Sequence, residues 1–119
     1  MRNLLIALFV LVSAPSFSQI AVKYTGAKRA FYHPGDTIGL VLVMKLNPRS
    51  CLDGMKKTYI YYSGCEDILQ KNWNQLPNRL FQKHILVKIS TQGGHKARVT
   101  ITRDTDKESF FRQEAFNIK

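Results

Sequence analysis

The feature that most constrains this chain is a run at residues 37–46 in which apolar side chains recur at every second position. Because successive side chains of a β-strand point to opposite faces, this period of two predicts a strand with one buried face. Val41 and Val43 lie on the opposite face, so the strand is expected to be central in its sheet. The buried face is formed by Ile38, Leu40, Leu42, Met44 and Leu46.

Short strands separated by turns are predicted along most of the remaining chain. Alternating, β-branched and aromatic residues mark them at 20–24, 30–32, 58–62, 84–90 and 96–102, with a last, bulged strand over 109–112 and 115–118. The glycines within residues 92–95 tolerate positive φ angles, which favours a hairpin turn. We therefore expect strands 84–90 and 96–102 to pair with each other.

One segment, residues 66–73, has a different pattern. Ile68, Leu69 and Trp73 have the spacing of one helical side, acidic residues open the segment and Lys71 lies near its end. This pattern predicts a short helix. We expect Trp73 to cover one end of the fold, together with Ile68 and Leu69.

These elements predict a mainly β protein, an antiparallel β-sandwich with one short helix. The number and length of the strands resemble an immunoglobulin-like or related sandwich, and a small β-barrel is the alternative. The resemblance is architectural. Cys51 and Cys65 are only 14 positions apart, far closer than the sheet-bridging cysteines of antibody domains.

The first 18 residues have the pattern of a secretory signal peptide. Arg2 supplies a positive start, residues 4–12 form an apolar core, and Ser16, Phe17 and Ser18 give the small-x-small pattern of a cleavage site. The apolar core is shorter than the roughly 20 residues that span a bilayer. We therefore predict an exported protein, periplasmic or secreted and not membrane-spanning, with one domain at residues 19–119.

The only two cysteines of the chain are Cys51 and Cys65. An even number of cysteines in an exported chain predicts a disulfide. A free reactive thiol and buried inert thiols are the alternatives. Two cysteines alone are a poor zinc site, because zinc is usually held by four ligands.

Few residues have the spacing of a catalytic or metal site. The three histidines are scattered, and neither a nucleophile elbow nor a phosphate-binding glycine loop occurs. Asp104, Asp106 and Glu108 alternate as calcium ligands can, but the glycine of a calcium loop is missing and an Asp-rich turn is the favoured interpretation. We predict no catalytic residue, no metal site and no cofactor.

The charge of the chain carries more information about partners. Eighteen Lys and Arg against eight Asp and Glu give a net charge of +10. If strands 84–90 and 96–102 pair, Lys88, Lys96 and Arg98 fall on one solvent-exposed face and form a candidate anion site. Lys56 and Lys57 precede Tyr59, Tyr61 and Tyr62, which adds groups that suit sugar rings or anionic head groups.

The sequence therefore predicts an exported, non-catalytic binding module. Its expected partner is an anionic polysaccharide of the cell envelope or another protein, and nucleic acid is not expected because of the predicted export. An inhibitor or immunity-type protein is the main alternative, and a small hydrolase is a further one. The basic residues have a simpler interpretation too, since dispersed Lys and Arg keep exported proteins in solution.

Overall fold

The computed structural model describes residues 19–91 and 94–119, so the predicted signal peptide, residues 1–18, lies outside the described residues. These two ranges contain eight strands and no helix: β1 Gln19–Tyr24, β2 Thr37–Lys45, β3 Thr58–Ser63, β4 Cys65–Asp67, β5 Asn74–Leu76, β6 Leu80–Ile89, β7 Lys96–Asp104 and β8 Ser109–Asn117. None of the described residues belongs to a helix that could span a membrane.

The strands form two antiparallel sheets. One has the order β1-β2-β6-β4, with β5 also paired to β6, and the other has the order β3-β7-β8. The prediction of a mainly β protein is thus confirmed. The described strands of the two sheets share no ladder, so the small-barrel alternative is wrong.

One core lies between the two sheets. The prediction for residues 37–46 is confirmed, because buried and less buried residues alternate along β2. β7 alternates in the same way, and so does β6 from Ile85 to Ile89. Burying each such aliphatic side chain stabilises the fold by roughly 1.5–3 kcal/mol. The centre of the core is formed by Leu40, Leu42 and Met44 of β2, Ile85, Val87 and Ile89 of β6, Ala97, Val99 and Ile101 of β7, and Phe116 of β8, each at most 2% exposed.

The predicted hairpin between residues 84–90 and 96–102 is wrong. β6 pairs with β2, β4 and β5, whereas β7 pairs with β3 and β8. Both strands present their apolar faces to the same core, but from opposite sheets. An apolar/polar alternation looks identical for two strands that pair within a sheet and two that pack across a core, so the period could not decide between them.

The predicted helix at residues 66–73 is also wrong. β4 and β5 pair with opposite ends of β6, and residues 68–73 loop out between them; we call this segment the 68–73 excursion. Asp67 starts it, because its Oδ1 accepts the backbone N–H groups of Leu69 at 2.9 Å and Leu86 at 3.3 Å. Gln70 has a φ of 53°, which an α-helix does not allow. Strand pairing with β6 therefore overrides the helical spacing.

The expected position of Trp73 is only partly found. Trp73 is half-buried and packs against the core, as predicted. Ile68 and Leu69 are exposed instead of lying beneath it. The cause is the excursion, which turns these two side chains to solvent.

Gly64 is where the chain passes from the three-stranded sheet to the five-stranded sheet. It follows β3 and precedes β4, with a φ of 71°. A Cβ at this position would lie 3.1 Å from the backbone oxygen of Lys96. Glycine is therefore needed here both for its backbone conformation and for the close approach to β7.

The predicted disulfide is wrong, since both cysteines are free thiols. Cys65 Sγ lies 3.5 Å from the backbone oxygen of Arg98. Cys51 follows Ser50, whose Oγ lies 3.3 Å from the guanidinium of Arg103. The two arginines are five positions apart on β7, about 17 Å along a strand. The two cysteines therefore lie near different ends of β7, whereas a disulfide requires Cα atoms within about 7 Å.

Candidate functional site

The outer face of the three-stranded sheet carries the most distinctive surface of the described residues. Strand alternation places every second side chain of β3, β7 and β8 on this face, away from the core. The register then arranges them in rows across the sheet. The rows are Asp104 and Ser109; Tyr59, Thr102 and Phe111; Tyr61, Thr100 and Gln113; Ser63, Arg98 and Ala115; and finally Lys96 and Asn117. One exposed carboxylate, that of Asp104, thus lies at the aromatic end of the face.

Three aromatic side chains on this face are open to solvent. Tyr59 is 54% exposed, Tyr61 59% and Phe111 67%. The two tyrosine rings are stacked, with centroids 6.5 Å apart and planes inclined by 29°. Large aromatic side chains usually bury much of their area, so three exposed together on one sheet indicate a contact surface.

A cationic end adjoins these aromatic rings. Arg98 lies two rows from Tyr59, about 13 Å along the strand direction, and Lys96 lies one row further. Within residues 19–91 and 94–119, no acidic side chain forms an ion pair with either cation. The face therefore combines apolar rings with positive charges that are available to a ligand.

The five basic residues predicted from the sequence as candidate binding residues do not lie on one surface. Lys96 and Arg98 share the outer face of the three-stranded sheet. Lys88 lies on the outer face of the opposite sheet, beside Glu66 of β4. Lys56 and Lys57 are exposed in the segment that leads into β3, away from Arg98 at the other end of that strand. Only two of the five thus remain in one candidate site.

Phe111 was not predicted from the sequence as a residue of the candidate site. Phe110 and Phe111 are neighbours, and the alternation of a strand turns one to the core and the other to solvent. The apolar pair alone does not tell which is which. The register of β8 against β7, which places Phe111 in the row of Tyr59, is what joins it to the site.

A second feature is a cleft between the sheets along the inner side of β3. We call it the inter-sheet cleft; its volume is about 490 Å³. Several of its polar side chains are hydrogen-bonded to other groups of the protein. Tyr62 is hydrogen-bonded to Asp67, and burial followed by the nearby carboxylate raises the pKa of the phenol. Lys83 Nζ donates to the backbone oxygen of Lys71. The cleft is lined by Thr58, Ile60, Tyr62, Glu66, Asp67, Gln70, Trp73 and Lys83.

A third feature is a buried polar cluster around Arg103. Its side chain is 1% exposed and its Nε lies 2.6 Å from Glu108 Oε2. Its Nη1 donates to Thr58 Oγ1 at 3.0 Å, and Nη2 lies 3.5 Å from Asp53 Oδ2. Ser50 Oγ also donates to Glu108 at 2.6 Å. The cluster therefore fastens the segment before β3 to the ends of β7 and β8.

The ion pair of Arg103 and Glu108 also decides whether the acidic turn 104–108 can bind a metal ion. Glu108 points to Arg103 in the interior, whereas Asp104 and Asp106 are exposed. The three carboxylates therefore do not converge. Among the described residues, no group of three His, Cys, Asp or Glu side chains is placed to hold a metal ion.

The opposite seam between the sheets is closed by hydrogen bonds and ion pairs. Tyr24 of β1 donates to Glu114 of β8 at 2.5 Å. Arg112 Nη2 lies 3.2 Å from Glu114, and Lys28 Nζ lies 3.7 Å from it. Burial, and then the hydrogen bond to this carboxylate, raises the pKa of Tyr24. These groups hold the two sheets together.

Comparison with protein-family models, curated proteins and solved structures finds no match to this chain. The candidates for a functional site are therefore the outer face of the three-stranded sheet, the inter-sheet cleft and the cluster around Arg103. Two of them are occupied by internal contacts. The outer face of the three-stranded sheet offers the most groups without such partners.

Proposed function

We propose that this protein is a non-catalytic binding module that holds an anionic polysaccharide on the outer face of its three-stranded sheet. The observation that carries the proposal is the row arrangement of Tyr59, Tyr61 and Phe111 next to Arg98 and Lys96. The predicted export from the cell supports a polysaccharide of the cell envelope as the partner.

The chemistry of the face suits a sugar chain with acidic groups. Aromatic rings supply flat apolar area against which the C–H faces of sugar rings pack. Thr102 supplies a hydroxyl group between the rings for sugar hydroxyls. Gln113 donates from Nε2 to Thr100 Oγ1 at 3.2 Å and keeps its amide oxygen as an acceptor for them. Arg98 can hold a carboxylate or sulfate with two parallel hydrogen bonds.

The packing beneath the outer face of the three-stranded sheet also favours binding. All of these side chains stand on paired strands whose other faces are packed into the core. Tyrosine and phenylalanine also have few rotatable bonds, so little conformational entropy is lost when they contact a ligand. A platform of paired strands is thus presented to an extended chain.

We also infer an immunoglobulin-like topology. With the strands lettered in chain order and β4 and β5 counted as one interrupted strand, the orders β1-β2-β6-β4 and β3-β7-β8 correspond to ABED and CFG of a constant-type domain. The topology itself implies no ligand.

A protein partner is the second candidate for the same face. Tyrosine and arginine are frequent among the residues that dominate protein interfaces. Salt separates the two candidates. Binding of a polyanion by cations weakens steeply as salt rises, whereas a packed aromatic interface changes little.

The test compares variants of this face with a matched charge change elsewhere. Binding to heparin, as a surrogate polyanion, and to carboxylated and neutral envelope polysaccharides is measured by affinity electrophoresis at several salt concentrations. We expect Phe111→Ala combined with Arg98→Glu to weaken polyanion binding by about tenfold or more. Lys88→Glu, on the opposite sheet, makes the same charge change and should have a much smaller effect.

Two results would contradict the proposal. One is that Lys88→Glu and Arg98→Glu, each as a single substitution, weaken polyanion binding equally. Net charge alone would then attract the polyanion. The other is unchanged binding of the Phe111 and Arg98 variant at every salt concentration. Circular dichroism of each variant checks that the fold is retained.

A further inference from the structure

Edge strands of a sheet expose unpaired backbone groups that another strand can join, and proteins usually guard against this. Three of the four edges in the described structure are guarded. The β4–β5 edge is interrupted by the 68–73 excursion. On β8, the inward charges Arg112 and Glu114 form an ion pair, and Tyr32 bridges to Ile118 just beyond the strand. On β1, Lys23 is exposed and Arg112 donates to the backbone oxygen of Ile20.

β3 is the edge that has no such protection within the strand itself, since the exposed Lys56 and Lys57 lie just before it. It has six residues, with the sequence TYIYYS, and pairs only with β7 among the described strands. It contains no charge, no proline and no glycine, and most of its residues are β-branched or aromatic. A segment of this composition on an exposed edge readily pairs with another strand.

The inter-sheet cleft leaves room beside this edge. It opens along the inner side of β3, where Ile60 and Tyr62 are only partly buried. On the outer side, Tyr59 and Tyr61 are more than half exposed. Both faces of β3 therefore have apolar area that an added strand would cover.

We propose that β3 pairs antiparallel with β3 of a second copy of this chain, around a two-fold axis at Ile60. In this register Ile60 meets its own counterpart, and Tyr59 of each copy meets Tyr61 of the other. The register keeps inward residues beside inward residues, as antiparallel pairing requires. Aromatic cross-strand pairs stabilise such a ladder.

A second copy fits this edge because the strand is self-complementary. Every pair that the register creates within β3 is uncharged, so no like charges meet. The result is a continuous six-stranded sheet whose outer face carries both sets of exposed tyrosines. The contact is small, so we expect a weak dimer whose population depends on concentration. This inference does not rest on the proposed polysaccharide binding.

The test uses charge exchange at exposed positions, which leaves the core intact. Sedimentation velocity is measured on the purified protein over a range of concentrations and salt. We expect a monomer–dimer equilibrium that strengthens with salt, because two copies with a net charge of +10 each repel one another. Tyr59→Lys with Tyr61→Lys should weaken dimerisation by about tenfold or more, and so should the corresponding Glu variant.

Mixing the Lys and Glu variants is the decisive measurement. Opposite charges then face each other at both cross-strand pairs, so a heterodimer should form although neither variant self-associates. Phe111→Lys is the matched control, since it lies on the same face two strands away from the edge and should leave the dimer unchanged.

A monomer at every concentration would overturn the proposal and favour a strand from another protein at this edge. Loss of the dimer in Phe111→Lys but not in the tyrosine variants would also overturn it, because the contact would then lie on another surface. The salt dependence distinguishes this test from the polysaccharide test, since salt strengthens the dimer and weakens polyanion binding.

Discussion

At the scale of single residues, Arg103 shows how a charge can occupy a core position. It continues the inward alternation of Ala97, Val99 and Ile101 on β7 and is as buried as they are. An unpaired charge at such a position would cost several kcal/mol, and Glu108 offsets part of that cost by pairing with it. The pair therefore determines where the segment before β3 attaches.

We predict that Glu108→Ala lowers the free energy of unfolding by roughly 3–5 kcal/mol, because it leaves the Arg103 charge buried without its main partner. Urea denaturation followed by circular dichroism measures the change. Asp106→Ala, an exposed acid in the same turn, should change it by about 0.5 kcal/mol or less. Equal effects of the two substitutions would show that the buried pair is not important for stability.

At the scale of elements, the interrupted strand β4–β5 depends on Asp67. Its carboxylate accepts three backbone N–H groups, those of Leu69, Gln70 and Leu86, and is hydrogen-bonded to Tyr62. One side chain thus ends β4, starts the 68–73 excursion and connects both to the other sheet.

We predict that Asp67→Ala loosens the excursion and exposes Trp73, the only tryptophan of the chain. Loss of these hydrogen bonds should lower the free energy of unfolding by about 1–3 kcal/mol. The fluorescence of Trp73 should shift to longer wavelength under native conditions. Glu66→Ala, at the neighbouring exposed position, is the control, and the same fluorescence shift in both variants would contradict the prediction.

At the scale of the whole molecule, hydrogen-bonded tyrosines connect the two sheets at both seams. Tyr24 contacts Glu114 at one seam and Tyr62 contacts Asp67 at the other, and the pKa of each phenol is raised from its ordinary value near 10. Each phenol is therefore harder to ionise in the folded protein than in the unfolded chain. Their contribution to stability is complete below a pH of about 10 and falls as the pH rises toward the folded pKa values.

We predict that the free energy of unfolding decreases above a pH of about 10, as the unfolded chain releases tyrosine protons that the folded protein retains. Tyr24→Phe should have lower stability at neutral pH, because it loses the hydrogen bond to Glu114, but a shallower decrease above that pH. Denaturation curves over this pH range measure both effects. A decrease in Tyr24→Phe as steep as that of the parent protein would argue against the assignment.

The sequence by itself determined the long strands and which of their faces are buried. It did not predict the short strands β4 and β5, and residues 30–32, predicted as a strand, contain only the isolated bridge from Tyr32 to Ile118. β8 pairs with β7 in an unbroken register, without the predicted bulge. In β2, in residues 85–89 of β6 and in residues 97–101 of β7, a side chain at every second position is apolar, and the pleat of a strand converts this local pattern directly into a buried face. The Asp-rich turn that contains Asp104 and Asp106 was likewise predicted from its own residues, and it joins β7 to β8. Such features depend on near neighbours in the chain.

Only the tertiary structure decided which strands share a sheet. β6 and β7 face one core from opposite sheets, which separated Lys88 from Arg98, and the pairing of β7 with β3 and β8 brought Tyr59 and Phe111 into one row. Strand pairing with β6 also replaced the helix that local spacing favours at residues 66–73. The physical reason is that alternation specifies a buried face but not the neighbouring strand, which is chosen by packing and backbone pairing between segments far apart in the chain.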